Sequence, residues 1–188
     1  INKNALGFHI PRMFDKILDI NQCHLQPDPS NEIRLALKNF ADTEGMTFFD
    51  IKKQQGLLRN LIIRTTTTQE TMVIVQFGEA DDERIKRVMQ FLAEQFPQLT
   101  SLLYLVNLKK NETIYDQNIL TYAGQDFIIE KMGALRFKIG PKSFFQTNPK
   151  QAYELYKKIE AFADLKGSEL VFDLYSGTGT IANFLAKN

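Results

Sequence analysis

The sequence predicts an α+β domain built on antiparallel hairpins, followed by the opening βα unit of an α/β domain of the nucleotide-cofactor type. Three observations carry that expectation. Short β-branched runs flank a polar tip between residues 57 and 77; two helical-period segments lie at 82–96 and 149–162; and an apolar run ending in Asp173 leads into Gly177-Thr178-Gly179-Thr180. The pattern changes toward βαβ near Gly140, which divides the chain into residues 1–140 and residues 141–188.

From Leu6 to Ile20 the apolar residues are scattered among charges, which suits one or two short strands joined by a turn. Ser30 is the expected N-cap of a helix over 31–40, with Ile33, Leu37 and Phe40 inward and Gly45 in the turn beyond. Residues 57–64 and 71–77 are β-rich and form a hairpin around the tip 65–70. Asp81, Asp82 and Glu83 open a helix that turns Ile85, Val88, Met89, Leu92 and Phe96 inward and stops at Pro97.

Strands follow at 102–108, 127–131 and 135–139, the last two joined by a turn at Met132-Gly133. Asn148 caps a second long helix from Pro149, whose expected buried face is Ala152, Leu155, Tyr156, Ile159 and Phe162. Lys166-Gly167-Ser168 ends it, and a strand begins at Glu169.

A doubly wound sheet needs several parallel strands, each reached through a crossover of about 10 residues or more. After Thr180 only Ile181 to Asn188 remain, and the first residue is Ile1 rather than Met. The second domain is therefore expected to be truncated and the chain an internal piece of a longer protein.

Composition is that of ordinary soluble folds: 188 residues, 44% hydrophobic, with Lys+Arg 23 against Asp+Glu 22. A net charge of +1 gives no whole-molecule basic field, so any RNA contact must come from a local patch or from a domain outside this chain. No apolar stretch reaches the roughly 18 residues that span a bilayer, and the start has no signal-peptide pattern. With a single cysteine, no internal disulfide forms; a cytoplasmic protein without membrane contact is expected.

The loop at 173–180 suits two cofactor classes, and its glycines could also form a tight turn with no ligand. Gly177-Thr178-Gly179-Thr180-Ile181-Ala182 can be matched to the dinucleotide fingerprint. Asp173 argues for the other class, because an acid at the strand end repels a pyrophosphate and attracts the ammonium and sulfonium of S-adenosylmethionine.

A second segment, Phe137-Lys138-Ile139-Gly140-Pro141-Lys142-Ser143-Phe144-Phe145-Gln146-Thr147-Asn148-Pro149, precedes that loop. Together they resemble the RNA uracil-5-methyltransferase family, whose members carry a Ser-Phe-Phe-Gln-x-Asn stretch, then Asp-Leu-Tyr-Cys-Gly-x-Gly-Thr. The match covers roughly Phe137 to Ala182 and departs from the pattern at Ser176, a position that is not the nucleophile in the family. The resemblance implies a Rossmann-like methyltransferase domain and an S-adenosylmethionine-dependent enzyme acting on carbon 5 of a uracil, ribosomal RNA being favoured over transfer RNA.

The same resemblance puts the donor site at Gln146, Tyr175, Gly177, Gly179 and Thr180, beside Asp173. It places Phe144 and Gln146 against the target base. An RNA base must leave its stack to reach a catalytic pocket, and an aromatic face replaces the lost stacking. Ordinary core packing at the domain junction is the competing role for both Phe144 and Phe145, more so for Phe145, because adjacent strand residues face opposite sides.

Family chemistry is covalent: a thiolate adds at carbon 6, carbon 5 attacks the methyl group, and a carboxylate removes its proton. Both of those residues lie downstream of the glycine loop in the family, so no catalytic residue is expected in this chain, which alone should be inactive.

On residues alone, a solitary cysteine is most often a small buried hydrophobe, and one thiol cannot hold a metal cluster. Yet Leu18-Asp19-Ile20-Asn21-Gln22-Cys23 resembles the segment that gives the fourth ligand to a four-iron iron-sulfur cluster in the ribosomal-RNA branch of the family. The other ligands would come from a segment preceding Ile1. His9 and His24 are read as surface or structural.

Two alternatives remain open on sequence. One is a non-catalytic RNA-binding module whose basic surface is Lys52, Lys53, Arg59 and Arg64; the other is part of an NAD-binding oxidoreductase. No obligate protein partner is inferred.

Overall fold

The computed structural model describes residues 4–186. It is a mixed α/β structure with antiparallel hairpins. By compactness the chain divides into two units, Ile1–Thr65 with Thr71–Asp126, and Thr66–Glu70 with Phe127–Asn188.

In the first unit β1 (Phe8–Ile10) pairs antiparallel with β2 (Met13–Leu18). A four-stranded sheet follows in the order β3-β4-β5-β6, from β3 (Leu58–Thr65), β4 (Thr71–Phe77), β5 (Ser101–Val106) and β6 (Leu120–Gly124). The β3–β4 pair is the expected hairpin. β4 and β5 run parallel because α2 (Asp82–Gln95) carries the chain across between them. Every residue of β4 is buried, as expected of an interior strand of β-branched and aliphatic residues.

One face of the sheet meets α1 (Ser30–Thr43) and α2. Ile33, Leu37 and Ala41 from α1 and Ile85, Val88, Met89 and Leu92 from α2 form a core with Val73, Val75 and Phe77. Phe40 stacks on Phe91 with ring centroids 4.1 Å apart, joining the two helices. Asp81 caps α2 by accepting from the Arg84 backbone N–H at 2.9 Å.

Several expectations are corrected. Ser30 is not the cap of α1: the N-cap is Pro29, with no side-chain bond, and Ser30 is buried inside the helix. The strand expected over 102–108 stops at Val106, since Asn107 turns the chain by accepting from the Lys109 backbone N–H at 2.9 Å. β6 was not anticipated. It is a mostly exposed strand beside β5, and its Leu-Thr-Tyr-Ala-Gly sequence has no clear alternation.

The second unit contains β7 (Ile128–Met132) and β8 (Leu135–Ile139), an antiparallel hairpin turning through Gly133, with α3 (Pro149–Ala163) and α4 (Thr180–Leu185). Its core is Met132, Phe137, Ala152, Tyr156 and Phe184. The pattern change at Gly140 falls inside this unit, after β8. The tip Thr66–Glu70 is bound to β7: the Glu130 carboxylate, 1% exposed, accepts from the Thr67 backbone N–H at 3.0 Å. Thr68 Oγ1 donates to the Ile129 carbonyl at 2.6 Å.

Asn148 caps α3 as expected, accepting from the Gln151 backbone N–H at 3.1 Å. Its buried face is narrower than the periodicity implied. Ala152 and Tyr156 are buried and Ile159 partly so, whereas Leu155 is exposed and Phe162 is 86% exposed. The expected strand at 169–173 does not form: among the described residues no segment lies beside it to exchange backbone bonds, and Leu170 and Phe172 stand exposed. A strand exists only through its partners.

Candidate functional site

The candidate residues of the second unit lie on two irregular segments, 140–148 before α3 and 173–179 before α4. Ser143 steadies the first, its Oγ accepting from the Gly140 backbone N–H at 3.1 Å. Neighbouring phenylalanines then separate by face. Phe145 turns inward with its ring centroid 5.7 Å from that of Phe137, while Phe144 is exposed. Phe145 is thus a core residue and Phe144 is left free to contact something else. Gln146 is also exposed.

In the second segment Tyr175, Gly177 and Gly179 all have positive φ, at 63°, 56° and 70°. Glycine adopts this backbone without strain; tyrosine does not. Tyr175 is fully exposed at 104%. A Cβ added at Gly177 would meet nothing within 4 Å, while one at Gly179 would come within 3.0 Å of Asn183 Nδ2. That Asn183 amide donates to the Gly179 carbonyl at 2.7 Å, fixing the loop to α4.

Asp173 is held by one oxygen: its Oδ2 accepts from the Ala182 backbone N–H in the first turn of α4, at 3.1 Å. Thr180 Oγ1 lies 3.1 Å from the Tyr156 hydroxyl, and Thr178 Oγ1 donates weakly to the Phe144 carbonyl at 3.4 Å. The structure therefore brings the Phe144 segment, the glycine loop, the middle of α3 and the start of α4 into one neighbourhood. Chemically this is an open turn of backbone groups with a carboxylate at its base and an aromatic ring beside it.

Sequence reasoning assigned Tyr156 to the core and missed its hydroxyl contact. It also missed Glu169, which accepts from the backbone N–H groups of Lys166 at 2.9 Å, Gly167 at 3.0 Å and Ser168 at 3.2 Å. Those bonds, the one from Lys166 foremost, hold the Glu169 carboxyl below the ordinary glutamate value. An acid immediately after a Gly-Ser turn is the signal that could have found it.

In the first unit Cys23 is half-buried and reduced. Asn31 clamps its backbone from both sides, accepting from the Cys23 N–H at 2.8 Å and donating to its carbonyl at 3.2 Å. Arg34 donates to the nearby carbonyls of Asn21 at 3.1 Å and Leu6 at 3.2 Å. Among the described residues no group of three or more His, Cys, Asp or Glu could hold a metal. His9 and His24 are exposed.

The basic surface considered for an RNA-binding module does not form as imagined. The Arg59 side chain is 1% exposed and donates to the carbonyls of Asn107 at 2.8 Å, Lys109 at 2.6 Å and Asn111 at 3.0 Å. Lys52 pairs with Asp15, and Lys53 lies 3.7 Å from Asp50. Arg64 is partly buried.

No protein-family model matches the chain. It is 55% identical over 184 residues to a Porphyromonas gingivalis protein named uncharacterized RNA methyltransferase, across 97% of this chain and 40% of that protein. A Bacteroides thetaiotaomicron protein of the same name is 52% identical over 187 residues, across 98% of this chain and 41% of that protein. The crystal structure of Pyrococcus abyssi tRNA (uracil-54, C5)-methyltransferase in complex with S-adenosyl-L-homocysteine matches with a TM-score of 0.71 at 32% identity. That match covers 92% of this chain and 41% of the other. The chain spans about 40% of the length of the curated relatives it matches.

Proposed function

From a chain that is homologous over nearly its whole length to RNA methyltransferases, we propose a role as part of an enzyme that methylates carbon 5 of a uracil in RNA, using S-adenosylmethionine. The observation that carries this reading is Asp173, whose Oδ2 is tied to the Ala182 backbone N–H, at the base of a left-handed turn with open space at Gly177. That arrangement fits a cationic, phosphate-free donor better than a pyrophosphate. The neighbour's complex with S-adenosyl-L-homocysteine supports the same donor class.

When bound, S-adenosylmethionine supplies an electrophilic methyl group. In this reading Asp173 attracts its positive charge, Gly177 and Gly179 let it approach the backbone, and Tyr175, Thr180 and Gln146 line its place. Phe144, exposed beside the loop, stacks on the flipped base in place of its neighbours in the RNA. With Gln146 on the next residue but one, the same segment orients the pyrimidine.

The nucleophilic thiolate and the base that removes the carbon-5 proton are assigned to residues outside these 188, and the chain by itself is proposed to be inactive. Cys23, the single thiol of the sequence, belongs to the first unit, not to that of the loop. It could offer one thiolate to a four-iron cluster, which takes four. This chain alone therefore does not fit the cluster, and the methyl transfer described here needs none.

Ribosomal RNA is the proposed substrate, on the Leu18–Cys23 segment, with transfer RNA as the comparison because the Pyrococcus abyssi protein is named for it. Among the described residues no helix is long and apolar enough to cross a membrane, and the proposed location is the cytoplasm.

The test is methyl transfer from labelled S-adenosylmethionine to ribosomal and transfer RNA by the full-length protein, with nucleoside digestion. 5-Methyluridine from the full-length protein and none from the 188-residue chain is the expected result. A methylated product other than 5-methyluridine would overturn the assignment.

A further inference from the structure

The β7–β8 hairpin separates its residues by face. Ile128, Met132, Phe137 and Ile139 are buried, together with Glu130. On the other face the antiparallel register sets Lys131 directly opposite Arg136, and Ile129 opposite Lys138. All three cations are exposed.

Like charges directly opposite one another across two strands destabilise the pairing. Here the repulsion is not relieved by acids: Glu130 is buried and spent on Thr67 and on the Lys131 backbone N–H at 2.8 Å. Glu70, the other carboxylate beside the hairpin, accepts from the Ile129 backbone N–H at 2.6 Å. Among the described residues, no ion pair joins Lys131, Arg136 or Lys138 to a carboxylate. Lys138 lies instead with its Nζ 3.9 Å from the centre of the Phe127 ring, which keeps the ammonium on this face without neutralising it.

A face that concentrates uncompensated cations at a cost to its own pairing is complementary to a polyanion. Arg136 and Lys138 stand about 6.6 Å apart along the strand, a reach suited to successive phosphates. β8 then runs directly into Gly140 and the Phe144 to Gln146 segment. We propose that Lys131, Arg136 and Lys138 form a phosphate-binding track that holds the RNA strand beside the uracil presented to Phe144. This rests on the RNA-methyltransferase reading and adds to it the surface by which the substrate backbone is gripped.

The experiment measures binding of a fluorescent RNA stem-loop with unpaired uracils to the full-length protein over a salt series. Replacing Lys131 and Arg136 by Gln should lower the slope of log affinity against log salt by about 1.4 and weaken binding about tenfold near physiological salt. The pair Lys131→Arg with Arg136→Lys should keep the wild-type slope. The thermal shift produced by S-adenosylhomocysteine should survive in both variants, which shows that they fold. An unchanged slope in the Gln variant, or a loss of RNA affinity with the wild-type slope, overturns the track while leaving the methyltransferase reading intact. A wild-type protein that methylates no RNA and binds none removes both.

Discussion

The Tyr156 hydroxyl on α3 and the Thr180 Oγ1 at the start of α4 lie 3.1 Å apart. One bond thus ties the buried stripe of the long helix to the residue that closes the glycine loop. Tyr156 is itself packed against Phe184, with ring centroids 5.8 Å apart, so its ring stays in place when the oxygen is removed. Tyr156→Phe is expected to cost about 1 kcal/mol in stability and to weaken S-adenosylhomocysteine binding severalfold, read by calorimetric titration. Unchanged affinity would mean that Thr180 needs no such anchor.

The two glycines of the loop should respond differently. Both have positive φ, but only at Gly179 does an added Cβ crowd a neighbour, Asn183 Nδ2 at 3.0 Å. Gly177→Ala is expected to lose about 1 kcal/mol through backbone strain, and Gly179→Ala more. Chemical denaturation of the two variants, compared side by side, checks the order.

Acid stability should depend on Asp81. Its bond from the Arg84 backbone N–H, then the one from the Arg84 guanidinium, hold its carboxyl below the ordinary aspartate value. A lowered value means that the stabilising contribution is complete above the unfolded aspartate range and is lost as the pH falls through the folded value. Asp81→Asn keeps a capping oxygen but cannot titrate. Its melting temperature should therefore fall less steeply than wild type below about pH 4, measured by circular dichroism across that range.

The helices offer a contrast in burial. Leu92 is fully buried between α2 and the sheet, and Phe162 is almost fully exposed on α3. In this chain Leu92→Ala should cost about 2–5 kcal/mol, and Phe162→Ser about 0.5 kcal/mol or less. Equal effects would show that α3 buries the broad face its periodicity suggested.

Much of the fold was legible because its signals are local. Asp81 and Asn148 name two helix starts through the bonds they make, and the β-branched and aliphatic runs on either side of the polar tip at 65–70 name a hairpin. What failed depends on partners distant in sequence. The residues at 169–173 read as a strand, yet no other described segment pairs with them; Leu155 and Phe162 keep helical spacing with nothing there to cover them. β6 has the reverse problem, a pairing with β5 that its own residues scarcely announce. For the site, glycine spacing and Asp173 were visible in one dimension, whereas the Tyr156 contact spans 24 positions and the Glu130 clasp on Thr67 spans 63.

The most direct test of the donor site uses Asp173. Its Oδ2 bond to the Ala182 N–H can be kept by an asparagine, while the negative charge cannot. Thermal-shift titration of full-length wild type and Asp173→Asn with S-adenosylhomocysteine and with NAD separates structure from recognition. Stabilisation of the wild type by S-adenosylhomocysteine alone, with affinity falling about tenfold or more in a variant of unchanged melting temperature, is the predicted result. Stabilisation by NAD, or equal S-adenosylhomocysteine affinity in both proteins, would contradict it.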